Sequence, residues 1–277
     1  MDHADITYLD AKRTVDDRAL APRVRDRLLE ELPSDPQILE AGTGTGTMIP
    51  RLVEWGVRSG SYHGVDRSNT LLEHANDRRA AELGAEHTPD GFRLADFDIR
   101  LEQGDALTVF EELQAEADLL IASAFLDLVP IETTLDVFEE AVRPAGLLYA
   151  PLTFDGGTIF QPDHPADAAV EAAYHEYIDE QPGRDTHAGR HVLESLRKRD
   201  GRLLSVGASD WIVRPRDGTY PAEEAGFLAT ILEFVADALD DHPAIDDWLD
   251  ERRRQLDAAE LSYVAHQYDF LYQSPAP

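Results

Sequence analysis

The stretch Ile38-Leu39-Glu40-Ala41-Gly42-Thr43-Gly44-Thr45-Gly46 constrains this chain more than any other. A short apolar run over 37–41 reads as a buried strand, and three glycines at alternate positions turn it into a helix over about 47–57. Glycine has no Cβ and takes positive φ at little cost, so such a turn lets a ligand approach bare backbone. The strand-to-helix rhythm continues on both sides. Ala19, Leu20, Val24, Leu28 and Leu29 predict an amphipathic helix over 16–31, stopped by Pro33 and Pro36. A second strand, 61–66, ends at Asp66, and Ser68 N-caps a helix over 69–83. Strands follow at 92–102, 117–124 and 147–152, separated by helices at 106–113 and 132–142. Five β–α units within the first 155 residues predict a doubly wound α/β fold with a mostly parallel sheet.

Beyond Asp155 the rhythm changes to helices at 163–180, 187–200, 222–240 and 245–258, with strands at 202–213 and 261–273. In the last strand Val264, His266, Tyr268, Phe270 and Tyr272 share one face, and Tyr263, Ala265, Gln267, Asp269 and Leu271 the other, so both faces are expected to be covered. No repeat or low-complexity segment interrupts the chain, which is expected to be one domain over 1–277.

Charge narrows the range of partners. The formal charge is −30, from 55 acidic and 25 basic residues, and only Lys12 and Lys198 are lysines. This pairing of acid excess with scarce lysine resembles proteins of salt-accumulating archaea, and a surface of that sign disfavours nucleic acid. Absence of cysteine excludes disulfides, thiolate metal sites and thiol nucleophiles. Met1, Asp2, His3, Ala4 and Asp5 show no basic region leading into an apolar run, and no stretch reaches the ~18 apolar residues of a membrane span, so a cytoplasmic protein without a membrane partner is expected.

Glycine turns of this kind serve NAD, FAD and S-adenosylmethionine alike, and the neighbouring residues separate them. A dinucleotide fingerprint wants Gly or Ala at 47, where Thr47 stands, and it would set Glu40 beside a pyrophosphate. A carboxylate at the strand end suits an ammonium or a sulfonium instead. With its acid, spacer and Gly-x-Gly-x-Gly from Glu40 to Gly46, the chain resembles the class I (Rossmann-like) S-adenosylmethionine-dependent methyltransferases. The resemblance extends over about 15–155 and includes Gly64-Val65-Asp66-Arg67-Ser68, Gln103-Gly104-Asp105-Ala106 and the segment from Asp118 to Val129. It implies a seven-stranded sheet, S-adenosylmethionine as cofactor, and a cofactor site formed by Glu40, Gly42, Gly44, Gly46, Asp66, Arg67, Asp105, Ala106 and Ser123. Asp66 would hold the ribose hydroxyls and Asp105 the adenine amino group, while helix capping accounts for either acid on local grounds. Residues 15–155 are then the cofactor core, and 156–200 and 215–258 are helical insertions forming a cap.

Phe125 and Asp127, in the loop after the fourth strand, lie where that family places residues between cofactor and acceptor. An acid inside an apolar run needs a reason to be there, which makes Asp127 the candidate catalytic base, with His164 and His187 as alternatives. Arg190 sits near a helix start, where the dipole disfavours cations, and is either the candidate for an acceptor carboxylate or phosphate or half of a surface ion pair with one of the many acids. Trp211 is a candidate for an aromatic pocket wall or for ordinary core packing. His187, His191 and Glu194 have a spacing that shares one helix face, but no Glu stands between the histidines and Gly189 weakens the helix, so no metal site is assigned. The expected reaction is in-line methyl transfer to a small molecule. An aminopropyltransferase would want paired acids where only Asp127 appears, Glu40 and Thr47 oppose a nicotinamide oxidoreductase, and a non-catalytic S-adenosylmethionine sensor or scaffold would show the same cofactor residues. Oligomeric state has no signature here.

Overall fold

The alternation over 37–154 builds the large sheet. In the computed structural model, which describes residues 5–113 and 117–276, the chain runs through α1 (Ile6–Ala19), α2 (Pro22–Glu31), β1 (Gln37–Ala41), α3 (Met48–Glu54), β2 (Ser59–Asp66), α4 (Asn69–Leu83), β3 (Glu86–Thr88), β4 (Gly91–Leu94), β5 (Asp96–Gln103), α5 (Ala106–Glu112), β6 (Ala117–Ile121), α6 (Ile131–Ala141) and β7 (Val142–Phe154). There follow β8 (Ile159–Gln161), α7 (Asp167–Asp179), α8 (Ala188–Lys198), β9 (Arg202–Ala208), β10 (Trp211–Val213), α9 (Glu224–Ala238), α10 (Ile245–Asp257), β11 (Ser262–Ala265) and β12 (Gln267–Gln273). Met1 to Ala4, which entered the expectation of no leader segment, lie outside the described residues. Among those described, no helix is long and apolar enough to cross a membrane.

The large sheet has nine strands in the order β3-β4-β5-β2-β1-β6-β7-β12-β9, not the expected seven. Its five central strands, β5 to β7, are parallel, and β12 pairs antiparallel with both β7 and β9. The two extra strands arise at the other edge. Residues 92–102, expected to be one strand, fold back at Ala95 (φ +53°), so β4 pairs antiparallel with β5 and β3 adds outside it.

The runs 202–213 and 261–273 also break, each into strands of two different sheets. β9 and β12 stay in the large sheet, whereas β10 and β11 join β8 in a separate three-stranded antiparallel sheet. The two break points are fastened together: Asp210 Oδ1 lies 2.7 Å from His266 Nδ1, and the Ser209 N–H donates to the Gln267 carbonyl at 2.9 Å. The expected helix over 16–31 is likewise two helices. Pro22 opens α2 at a position where its missing N–H costs nothing, and the Ala21 N–H donates to the buried Asp269 carboxylate at 2.7 Å. By contrast α4 spans the expected 69–83, with Ser68 accepting from the Leu71 N–H and Gly84 closing the helix at φ +63°.

Apolar burial explains the layering. On one face of the large sheet, Val24, Leu28, Ile49 and Leu52 of α2 and α3 pack on Ile38, Tyr62, Leu119 and Tyr149. On the other, Phe110, Phe138, Val192 and Leu196 of α5, α6 and α8 pack on Leu120, Leu148 and Phe270. A third cluster joins α1, α7, α9 and α10 to the small sheet through Tyr8, Val170, Phe227, Trp248 and Tyr263. The distribution differs from the expected core and insertion boundaries at two places. α8 covers the large sheet, because Val192 and Leu196 face it, and α1 belongs to the third cluster through Tyr8, Ala11 and Val15.

Candidate active site

Strand order reverses beside β1, with β2 and β5 on one side and β6 and β7 on the other, and the turns leaving their carboxyl ends diverge there. The crevice opens into a cavity of ≈ 520 Å³, within the range of small-molecule sites. Gly42 and Gly44 line it from the β1 turn at φ +69° and +54°, Asp66 and Arg67 from the end of β2, Asp105 and Ala106 from the end of β5, and Ser123, Phe125 and Asp127 from the loop after β6.

Asp66 ties two of these turns together. Its Oδ2 accepts the Gly44 N–H at 2.8 Å and its Oδ1 accepts the Ser68 N–H at 2.9 Å. A carboxylate oxygen accepts two hydrogen bonds, so acceptor capacity remains on both for ligand hydroxyls. Asp105 caps α5 by accepting the Leu107 and Thr108 N–H groups at 3.0 and 3.3 Å, and its Oδ2 takes the Arg67 Nε–H at 3.0 Å. The Arg67 guanidinium holds the Asp105 carboxyl below the usual carboxylate range. Capping and cavity lining therefore coexist in one side chain.

Two residues expected to touch the cofactor stand elsewhere. Glu40 is 2% exposed and lies outside the cavity, with the Tyr62 hydroxyl donating to it; burial pushes its carboxyl well above the usual range, Arg51 opposing. Gly46 lies where a Cβ would sit 3.1 Å from Ala75 Cβ and 3.3 Å from Arg79 Cγ, so its bare backbone (φ +69°) serves the packing of α4 on the turn.

Phe125 and Asp127 line the same cavity. A Cβ on Gly42 would lie 2.7 Å from Phe125 Cδ2, which shows how closely the ring covers the glycine turn. Asp127 Oδ1 is buried without a hydrogen-bond partner among the described residues. Burial raises the Asp127 carboxyl above its usual range, with Lys12 and Arg184 opposing. Other walls of the cavity are aromatic, from Tyr8 of α1, Phe154 of β7, Tyr174 of α7, Trp211 of β10, Phe234 of α9 and Tyr263 of β11. Trp211 is among these wall residues, held by its Nε1–H donating to Asp16 at 2.9 Å. The other five carried no sequence signal beyond being aromatic, because they come from five elements whose convergence is tertiary.

Arg190 is not on the cavity. Its Nε and Nη2 bind Asp155 Oδ1 and Oδ2 at 3.0 Å each, and the same Oδ1 accepts its backbone N–H at 2.8 Å. The first turn of α8 thus has the anion its dipole favours, Asp155, and Arg190 neutralises it. His164 and His187 also lie outside the cavity lining. His191 pairs with Asp185 at 2.5 Å and Glu194 with Lys198 at 2.7 Å.

Residues 38–146, the segment carrying every turn just described up to β7, match a family described as "Methyltransferase domain". No curated protein matches the sequence. Among solved structures the chain is similar to a candidate methyltransferase of Bacillus halodurans, at 11% identity and a TM-score of 0.56 over 92% of this chain and 100% of that one. It is also similar to an S-adenosylmethionine-dependent methyltransferase of Thiobacillus denitrificans bound to S-adenosylhomocysteine, at 19% identity, 92% of each chain and a TM-score of 0.50. A third similar structure is the [4+2]-cyclase SpnF, at 15% identity and a TM-score of 0.50, covering 92% of this chain and 82% of that one. Residues 38–146 are a methyltransferase domain. The enzyme is S-adenosylmethionine-dependent, and the glycine turn, the spare acceptor capacity of Asp66 and the size of the cavity fit that cofactor.

Proposed function

We propose that this methyltransferase acts on a small molecule with a flat apolar body, held between the strand ends and the aromatic walls. The observation behind this reading is the continuity of one cavity from Gly42, Asp66 and Asp105 past Asp127 to Tyr8, Tyr174 and Trp211. In this reading Gly42, Gly44, Asp66, Arg67, Asp105, Ala106 and Ser123 form the cofactor half. The cofactor supplies a methyl group already activated on a sulfonium, so the protein's work is alignment and exclusion of water. Phe125 and the aromatic walls keep that space apolar. Asp127 is the base for a hydroxyl or protonated amine, its unpartnered Oδ1 being free to accept the proton and its burial favouring proton capture. The third cluster, built from α1, α7, α9, α10 and the small sheet, acts as the cap over the acceptor half.

Incubating the pure protein with methyl-labelled S-adenosylmethionine and fractionated metabolite extracts should transfer label to an apolar small-molecule fraction. Cofactor binding without any transfer across such fractions would favour a sensor or scaffold, and that outcome deserves a direct test because the fold also hosts the SpnF cyclase. The −30 charge is read as adaptation to high salt.

A further inference from the structure

Two buried arginines place most of their donors on acceptors, although the Arg252 Nε has none among the described residues. Arg79, 1% exposed, donates to the Thr45 carbonyl, Glu82 and Asp10 at 2.9, 2.6 and 3.1 Å. Arg252, with no exposed side-chain surface, donates to the Pro162 carbonyl and Gln255 at 2.6 and 2.7 Å and to Asp167 at 2.5 Å. Lys12 is different. It is 9% exposed and lines the cavity, and among the described residues its ammonium makes no hydrogen bond. Its ion-pair partner, Asp16, stands 3.6 Å away, and that carboxylate is already shared with the Trp211 Nε1–H at 2.9 Å and with Arg51 Nη2 at 3.7 Å. The Trp211 ring centroid lies 5.1 Å from Lys12 Nζ. A lysine ammonium has three donors and pays heavily for leaving water with them unfilled.

We propose that Lys12 is an anion-recognition site in the acceptor half of the cavity, and that the acceptor is a carboxylate borne on an aromatic or similarly flat apolar body. The inference rests on reading this half of the cavity as the acceptor site. Three observations converge on the class: the ammonium that lines the cavity with no hydrogen bond among the described residues, the Trp211 face beneath it, and the aromatic walls contributed by Tyr8, Tyr174 and Tyr263. Asp127 faces the same space, so the carboxylate and the nucleophile must lie at different points of the acceptor, with the carboxylate at Lys12 and the atom to be methylated near Asp127 and Phe125.

The test uses calorimetry with 2-naphthoate and its uncharged isostere 2-naphthamide, with and without saturating S-adenosylhomocysteine. The wild-type chain should bind naphthoate at least tenfold more tightly than naphthamide. Lys12→Met should abolish that preference and Lys12→Arg should keep part of it. Equal binding of the two probes, no binding of naphthoate, or a preference that survives in Lys12→Met overturns the proposal. S-adenosylhomocysteine and 5′-methylthioadenosine separate the remaining source of a carboxylate. If Lys12→Met weakens the first tenfold and spares the second, the ammonium serves the cofactor's amino-acid end and the proposal fails. Failure of S-adenosylhomocysteine to bind wild type would instead refute the reading of the cavity, while the naphthoate comparison without it still decides the role of Lys12. Melting curves of both variants confirm that loss of preference is not loss of fold.

Discussion

Adding one methyl group at Gly42 tests whether Phe125 and the glycine turn form a single fitted surface. In Gly42→Ala the new Cβ would stand 2.7 Å from Phe125 Cδ2, whereas carbon atoms settle at about 3.5–4.0 Å, so the ring must retreat by roughly 1 Å. Two costs add. Holding alanine at φ +69° costs about 1–2 kcal/mol, and crowding a fitted contact costs about 1–3 kcal/mol. Gly84→Ala isolates the first cost, because Gly84 has nearly the same φ, +63°, and nothing within 4 Å of the added atom. The unfolded-state entropy lost on replacing glycine is common to both variants and cancels in the comparison. At about 2–4 °C per kcal/mol, Gly42→Ala should melt several degrees below Gly84→Ala. A displaced Phe125 intrudes on the cavity, so S-adenosylhomocysteine affinity should fall at least tenfold in Gly42→Ala and stay unchanged in Gly84→Ala, and trimming the ring in Gly42→Ala/Phe125→Ala should restore part of the stability difference. Scanning calorimetry and titration calorimetry read both quantities. If Gly42→Ala melts with Gly84→Ala and binds S-adenosylhomocysteine within twofold of wild type, the ring and the turn are not coupled in this way.

Asp127→Asn should lower kcat by about 10²–10⁴-fold on an acceptor that must lose a proton, and the wild-type rate should rise with pH through a value above the ordinary carboxylate range; a flat profile would remove Asp127 from proton transfer. Glu40 binds its proton more tightly folded than unfolded, so the stability it contributes is present below its unfolded value near 4.5 and declines as pH rises through its raised folded value. Melting temperatures of Glu40→Gln relative to wild type should therefore improve steadily as pH rises from acid toward neutral, and a constant difference would contradict the burial argument. Diluting salt lengthens the screening distance from about 3 Å at molar ionic strength to about 10 Å at 0.1 M, so the melting temperature should fall on dilution, alike in potassium and sodium chloride. A melting temperature indifferent to salt would mean that the acid excess is not a salt adaptation.

Local chemistry made the turns at one end of the cavity legible. The glycine turn, the acids ending β2 and β5, and the capped helix α4 are written in consecutive residues, because turn dihedrals, strand length and helix capping are decided within a few positions of the chain. What lay beyond that range was decided by packing. The alternation through 202–213 and 261–273 is real, yet period-2 burial is blind to which sheet a strand joins, and the Asp210 and His266 break divides both runs. The sequence left open which acid, if any, pairs with Arg190, because Asp155 stands 35 residues earlier. α1 hid for a related reason: its buried face mixes Tyr8, Ala11 and Val15 with Lys12 and Asp16, so no apolar stripe announced it. Those charges are buried only because α9 and β10 pack over them, and a lysine enclosed beside Trp211 follows from where three distant segments meet.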